Sequence, residues 1–295
     1  NEPMSARMLA VLAVALTALS PAKSFAQDSV NLRFLTAWDD RFDGTQIVAK
    51  QFAENVEKAS DGRITFTFSG PEVVPPNQQF EPVTRGVFDL GFITPIYYIG
   101  TTGVPFAFFA LPPDPALWRE RGYWAFADKE MARFNQKLLS FVSGSDSDDF
   151  YQIILREPLP DTDQPFAGKK IRGNKYYEPI VVPLGGSLVN LPGGEIYSAL
   201  EKGVVDGAAY PVAGMQKLKM QEVTKYMMRP RFGTSPFTVA MNLDKFNALS
   251  DSARKLLLDE GRTLAQLTAQ DFSTLPDEPV DAVHAARLLS ADLAP

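Results

Sequence analysis

The chain has 295 residues, 45% of them hydrophobic, which is enough material for a large core and for two domains. It contains no cysteine and one histidine, so thiol nucleophiles, disulfides and Cys/His zinc sites are excluded and a Ser-His-Asp triad is disfavoured. The net charge of −6, without a basic stripe that carries interleaved aromatic residues, argues against nucleic-acid binding.

The N-terminus has the pattern of a secretory signal peptide. Arg7 precedes an apolar run over residues 8–19, Pro21 follows it, and residues 24–26 read SFA, a small-x-small cleavage pattern. The apolar run is too short to span a membrane. We therefore predict a signal peptide over residues 1–26 and an exported chain, with a signal anchor that stays attached as the alternative.

Strands and helices alternate in the next part of the chain. Apolar and polar residues alternate over residues 30–36, 63–68 and 88–94, which predicts three strands. Helical spacing and turn signals predict helices over about 45–59 and 75–86. This β-α-β-α-β order favours a parallel sheet with right-handed crossovers.

A less regular region separates this set from a second one. Two amphipathic stretches, 117–127 and 130–139, precede a polar run over residues 143–149 where a change of domain is expected. Alternation then resumes. The second set comprises predicted strands at 151–157, 169–173, 187–192, 204–211 and 237–243, with helices at 193–203 and 249–272. The whole pattern predicts two α/β lobes.

Ligands of open parallel sheets bind beyond the carboxyl ends of the strands. The candidate residues at these ends are Trp38, Thr94 and Tyr97 in the first lobe, and Arg172, Asn174, Asn190 and Tyr210 in the second. Structural alternatives stay open for them. Arg172 could equally share a solvated cationic face with Lys169 and Lys170, and the aromatic rings could serve as core or rim packing.

Six segments in a fixed order carry a family resemblance. They read FAENVEKASDGRI, PNQQFEPVTRGVFDLGFITPIYY, GKKIRG, LPGGEIYSALEKGVVDGAAYP, EVTKYM and MNLDKFNALSDSARKLL. Over about residues 32–258 the chain thereby resembles the solute-binding proteins of TRAP transporters, the tripartite ATP-independent periplasmic transporters.

The resemblance implies an α/β fold like that of the periplasmic binding proteins. In such a fold each of two lobes has a mainly parallel sheet flanked by helices, the ligand cleft lies between the lobes, and a long C-terminal helix spans both. Applied to this chain, lobe one takes residues 27–149 and about 237–274. Lobe two takes residues 150–236 and about 275–295.

The resemblance also assigns roles at the cleft. The arginine of the KKIRG motif, Arg172, pairs with a ligand carboxylate. The residue before the proline of DGAAYP contacts the ligand, and here it is Tyr210. Where some members have a second arginine, this chain has Tyr151 and Gln152, and where some have a ring, it has Gly193.

Further candidates complete the predicted site. Asn77 and Phe237 are expected to contact the ligand, and Gly173 is expected to leave room for it beside the arginine. No spacing of metal ligands is seen in the sequence, so we expect neither a metal nor another cofactor.

The function favoured by pattern and resemblance is a periplasmic solute-binding protein and not an enzyme. It is expected to act as a monomer that captures an organic anion and delivers it to the small and large membrane subunits of a TRAP transporter, with no nucleic-acid partner. Two alternatives stay open, a secreted hydrolase that uses a carboxylate pair and a ligand-binding module of a sensory system.

Overall fold

The computed structural model describes residues 29–144, 150–211, 215, 217–274 and 289–292, with the side chains of 267–274 and 289–292 left out. The predicted signal peptide lies outside the described residues. In the part described, no helix combines the length and the apolar character needed to cross a membrane.

Eleven strands of the described chain form two sheets. They are β1 Val30–Thr36, β2 Ile64–Ser69, β3 Leu90–Ile93, β4 Gln136–Ser143, β5 Tyr151–Leu155, β6 Lys170–Arg172, β7 Ser187–Val189, β8 Gly207–Pro211, β9 Tyr226–Arg229, β10 Pro236–Asn242 and β11 Leu289–Asp292. The first sheet has the order β2-β1-β3-β10-β4, and the second has the order β11-β9-β5-β8-β6-β7. We call each sheet with its flanking helices lobe one and lobe two, respectively.

Helices cover the sheets. They are α1 Gln51–Ala59, which continues a π-helical segment Thr45–Lys50, α2 Phe80–Thr84, α3 Pro115–Glu120, α4 Tyr123–Ala132, α5 Glu178–Val181, α6 Ile196–Glu201, α7 Leu243–Ala248 and α8 Asp251–Thr274. Helix α1 forms because its apolar residues recur on one face, so that Phe52 and Val56 are buried against the first sheet.

Both sheets combine parallel and antiparallel strands. In lobe one, β1 is parallel to β2 and β3, whereas β10 is antiparallel to β3 and β4. In lobe two, β6 is parallel to β7 and β8 and β9 is parallel to β11, whereas β5 is antiparallel to β8 and β9. The antiparallel strands place their amino ends beside the carboxyl ends of the parallel ones, at the edge where a ligand is expected.

Strand β4 was not predicted as a strand. Its residues fall partly in the amphipathic stretch 130–139, and all of them except Lys137 are buried. A strand that is covered on both faces shows no alternation of apolar and polar residues, so its sequence cannot be distinguished from a helical segment by periodicity.

The long helix α8 packs closely on lobe one. The carbonyl oxygen of Gly261 accepts a hydrogen bond from the Ser140 hydroxyl at 2.8 Å. A Cβ atom at Gly261 would lie 2.0 Å from the Leu139 carbonyl oxygen, so the absence of a side chain permits the helix backbone to touch β4. The predicted span of this helix across both lobes also involves residues 267–274, whose side chains are outside the description.

Aromatic rings connect the two lobes through a shared core. Phe237 of β10 packs against Phe42 and Phe150, with ring centroids 5.9 and 6.0 Å apart. Phe150 in turn packs edge-on against Tyr151 of β5, at 4.8 Å. This apolar seam lies where the chain crosses between lobes and positions the two binding edges opposite each other.

Candidate functional site

Arg172 is the last residue of β6 and is buried, with only 5% of its surface exposed. Its Nε and Nη2 atoms donate to the carbonyl oxygen of Leu191 at 2.9 and 2.7 Å, and Nη1 donates to that of Ala209 at 3.0 Å. These bonds use three of the five N–H donors of a guanidinium group and leave one donor on each terminal nitrogen. Lys170 is exposed, so the predicted alternative of a shared solvated face does not hold for Arg172.

The charge of Arg172 has no carboxylate partner among the described residues. Backbone carbonyl oxygens satisfy hydrogen bonds but carry no net charge. Leaving a buried charge without its partner typically costs about 3–5 kcal/mol. An anion that accepts the two remaining N–H groups would supply both the missing charge and the missing acceptors.

Two tyrosines contact the guanidinium group. The ring of Tyr210 lies 5.6 Å from Cζ of Arg172, within the range of a cation–π interaction. The side chains of Arg172 and Trp38 lie close enough to the Tyr97 hydroxyl to oppose the rise in its pKa that burial causes. Burial raises the pKa of Tyr97 and of Tyr210 despite the opposing effect of the nearby arginine, so both hydroxyls are neutral at physiological pH.

Trp38 forms an aromatic wall in lobe one. Its ring centroid is 5.8 Å from that of Tyr97, 4.8 Å from that of Phe42 and 5.5 Å from that of Phe237. Phe237 is buried beneath Trp38, with 1% of its surface exposed, so it supports the wall from the core side.

A cavity of about 320 Å³ lies between the lobes, in front of Tyr97 and Tyr210. Its size is at the lower end of the range for small-molecule pockets. Lobe one contributes Ala37, Trp38, Asp39, Arg41, Phe42, Pro71, Glu72, Pro75, Pro76 and Tyr97 to its lining, and lobe two contributes Pro192, Gly193, Gly194, Glu195, Tyr210 and Leu218. The lining thus includes four of the predicted residues, Trp38, Tyr97, Gly193 and Tyr210. Arg172 lies next to Tyr97 and Tyr210, on the side away from the cavity.

Arg41 also lines this cavity, although no sequence pattern predicted it as a site residue. Its Nη2 and Nε atoms donate to the Asp39 carboxylate at 2.7 to 3.1 Å, and the hydrogen bonds from Arg41 hold the pKa of Asp39 below its usual range. A Cβ atom on Gly194 would lie 3.1 Å from Nη2 of Arg41, so the lobes approach closely here. A single arginine in a loop gives no periodic signal, which explains why it was missed.

Gln152 presents an unpaired acceptor on the lobe-two side. It lies opposite Tyr210 in the antiparallel register of β5 and β8, so both side chains share one face of the sheet. Its Nε2 atom contacts Sδ of Met215 at 3.0 Å, whereas its Oε1 atom is buried without a hydrogen-bond partner in the described structure. At a position where some relatives carry a second arginine, this chain therefore offers a hydrogen-bond acceptor.

Two predicted residues have local structural roles. The Thr94 hydroxyl donates to the carbonyl oxygen of Pro236 at 3.1 Å and ties the end of β3 to the start of β10. Oδ1 of Asn174 accepts from the backbone N–H of Tyr176 at 3.0 Å and caps the 3-10 turn that follows β6. These bonds account for both side chains without a ligand.

Other predicted residues differ in their relation to the cavity. Asn77 and Asn190 are exposed and are not part of its lining, so their role stays a prediction. Gly193 does line it, and a Cβ atom there would lie 3.2 Å from the Tyr210 hydroxyl oxygen. The glycine therefore keeps space open beside that ring.

Packing inside lobe two gives a structural reason for Gly173. A Cβ atom at this position would meet Cδ2 of Tyr177 at 2.9 Å and Cδ2 of Leu188 at 3.0 Å. Gly173 is therefore required by packing inside lobe two, and its expected role beside a ligand stays a prediction. No group of three or more His, Cys, Asp or Glu side chains suited to a metal ion occurs among the described residues.

A family model and a curated protein match this chain. The model described as bacterial extracellular solute-binding protein, family 7, matches residues 43–288. A monocarboxylate 2-oxoacid-binding periplasmic protein of Nostoc sp. is 30% identical over 233 residues, which are 75% of this chain. The matched part spans 62% of the length of that relative.

Solved structures show the same fold. The extracytoplasmic solute receptor DctP7 of Bordetella pertussis, which binds pyroglutamic acid, has a TM-score of 0.75 at 17% identity, over 90% of this chain and 88% of that one. A TRAP periplasmic solute-binding protein of Roseobacter denitrificans with bound β-D-glucuronate has a TM-score of 0.74 at 21% identity, over 90% and 89%. These similarities confirm the predicted two-lobed α/β fold.

Proposed function

Because the chain belongs to family 7 of the bacterial extracellular solute-binding proteins, we propose that it captures an organic acid between its two lobes and delivers it to a TRAP transporter. In this proposal Arg172 binds the ligand carboxylate. The observation that carries it is the burial of this guanidinium group without a carboxylate partner in the described part of the chain.

Movement of the lobes gives the ligand access to Arg172. The guanidinium group belongs to lobe two, whereas the Tyr97 hydroxyl that contacts it belongs to lobe one. Rotation of the lobes apart separates this pair and opens a path to the free N–H donors of the guanidinium group. A carboxylate that enters then accepts from both terminal nitrogens, and closure places it between Tyr97 and the ring of Tyr210.

Several of the similar proteins are described with acids that have one carboxylate, whereas a similar protein of Rhodoferax ferrireducens holds malonate, which has two. The Nostoc relative is named for monocarboxylate 2-oxoacids, and pyroglutamic acid and glucuronate each carry a single carboxyl group. The aromatic wall of Trp38 and the prolines at 75 and 76 offer an apolar surface for the remainder of the ligand. We propose a monocarboxylate of the oxo-acid, sugar-acid or aromatic-acid type.

The place of action and the partners belong to the same proposal. The family is described as extracellular, and the N-terminal sequence has the pattern of a signal peptide, so we place the working protein in the periplasm. Its partners are the membrane subunits of the transporter, which receive the closed and loaded form of a monomer.

A thermal-shift screen tests the proposal. The panel contains 2-oxo acids, sugar acids, aromatic acids and dicarboxylates, each beside its own carboxamide. A ligand that binds only the folded protein raises the melting temperature, and the rise grows with the logarithm of the ligand concentration above Kd. We expect at least one acid to raise it and its amide to have no effect. Equal shifts by acid and amide, or no shift by any acid at millimolar concentration, would contradict a carboxylate-binding role.

A further inference from the structure

We propose that Glu72 and Glu195 make the cleft selective for acids with a single carboxylate. This inference rests on the proposed function, because it concerns the part of the ligand that lies beyond Arg172. Glu72 follows β2 in lobe one, and Glu195 ends the 3-10 turn before α6 in lobe two. Both line the same interlobe cavity, so a bound ligand meets one carboxylate from each lobe.

The wall of the cavity carries an excess of negative charge. Three carboxylates and one guanidinium group line it, and the guanidinium group of Arg41 is engaged by Asp39. Oε1 of Glu72 accepts a hydrogen bond from the backbone N–H of Gly70 at 2.8 Å, which leaves its charge unbalanced. No cationic partner of Glu72 or Glu195 is found among the residues that the structure describes.

A ligand held by Arg172 extends its other end toward this wall. Its first carboxylate uses the buried cation, so a second one would face two like charges with no partner of its own. Repulsion between charges a few ångströms apart in a partly solvated site weakens binding on the order of tenfold. Uncharged hydroxyl or amide groups, and ammonium groups, can instead donate to Glu72 and Glu195.

Three ligands of equal chain length test the role of charge. Glutarate, glutaramate and 5-aminopentanoate share one carboxylate and carry a second end that is negative, neutral and positive. Calorimetry should show glutaramate and 5-aminopentanoate binding roughly tenfold or more tightly than glutarate. In the double variant Glu72→Gln/Glu195→Gln, the difference in affinity between glutarate and the other two ligands should shrink to less than about threefold. In the original protein, 0.5 M salt should also reduce this difference in affinity.

A matched variant controls for net charge. Glu54→Gln/Glu120→Gln removes two exposed carboxylates that do not line the cavity, and it should leave the order and the difference in affinity unchanged. Any of three results would overturn this proposal. Glutarate could bind the original protein as tightly as glutaramate does, the difference in affinity could be unchanged in Glu72→Gln/Glu195→Gln, or none of the three ligands could bind. Failure of the proposed function itself looks different, because then no acid of the thermal-shift panel binds.

Discussion

Arg172 is the residue at which local structure and function are most closely connected. Its surroundings supply acceptors for three of its N–H groups, yet within the described chain they supply no negative charge. A purely structural arginine would gain from a carboxylate partner, because the pair would then compensate for the loss of hydration. The arrangement therefore supports the proposal that Arg172 binds an anion.

A glycine beside this site should control the space available to the ligand. Gly193→Ala adds a Cβ atom 3.2 Å from the Tyr210 hydroxyl oxygen, so the ring or the loop must shift. We expect binding to weaken by about 1 kcal/mol, roughly fivefold, with little change in the melting temperature. Calorimetry and thermal unfolding measure the two effects, and Gly100→Ala, where no atom lies within 4 Å of the new Cβ, is the control. Unchanged affinity in the first variant would show that the cavity wall is elsewhere.

At the scale of the elements, the close contact between α8 and β4 requires a glycine inside the helix, at position 261. Replacing a glycine in a helix by alanine ordinarily stabilises it by about 1 kcal/mol. At Gly261 the added Cβ atom would lie 2.0 Å from the backbone of Leu139, which cannot move without displacing the strand. The steric cost should exceed the gain in helix propensity.

We therefore expect Gly261→Ala to destabilise the protein by about 1–3 kcal/mol, the range found for overpacked cores. Denaturant unfolding measures this change directly. Thr263→Ala, on the exposed side of the same helix, should change the free energy of unfolding by less than about 0.5 kcal/mol. A Gly261→Ala variant as stable as the original protein would mean that α8 does not rest on β4 as closely as described.

Periodicity predicted most of the elements, and the exceptions have physical reasons. β1 was predicted with the bounds that the structure shows, because over its first five residues one face is more buried than the other. β4 escaped prediction because it is covered on both faces, and β9 was also not predicted. The end of each element is set by tertiary contacts that a single sequence does not display.

The candidate site was predictable to the extent that it lies at the ends of parallel strands. That rule located Arg172, Tyr210, Trp38 and Tyr97. The rule does not identify Gln152, because this residue lies near the amino end of an antiparallel strand. The direction of a strand depends on pairing partners that are far away in the sequence. The rule also does not identify Arg41, whose position depends on the ion pair with Asp39 in a loop.

For the whole molecule, polar contacts add to the aromatic contacts that join the two lobes. Lys217 of lobe two forms an ion pair with Asp43 of lobe one, and the Tyr97 hydroxyl of lobe one meets Arg172. A partly exposed ion pair contributes only about 0.2–1 kcal/mol. Because this pair contributes little, we expect that a ligand can shift the balance between the closed arrangement and an open one.

Removal of the interlobe ion pair should shift this balance toward the open form. We expect Lys217→Ala to increase the radius of gyration of the ligand-free protein and to weaken ligand binding by up to about fivefold. Small-angle scattering and calorimetry measure these effects, which should fade at high salt because salt screens the pair. The control Lys225→Ala removes an exposed lysine of the same lobe. Identical scattering and affinity for both variants would argue against a role of the pair in closure.

The central claim is that the Arg172 guanidinium group binds the ligand carboxylate, and calorimetry on Arg172→Lys tests it most directly. A lysine retains the positive charge but lacks the planar pair of donors. With the acid that gives the largest thermal shift, we predict a loss of about 2–5 kcal/mol in binding free energy, while Lys170→Ala, two residues away on β6, binds as the original protein does. Circular dichroism and the melting temperature should confirm that both variants remain folded. Original affinity in a folded Arg172→Lys protein would contradict the account.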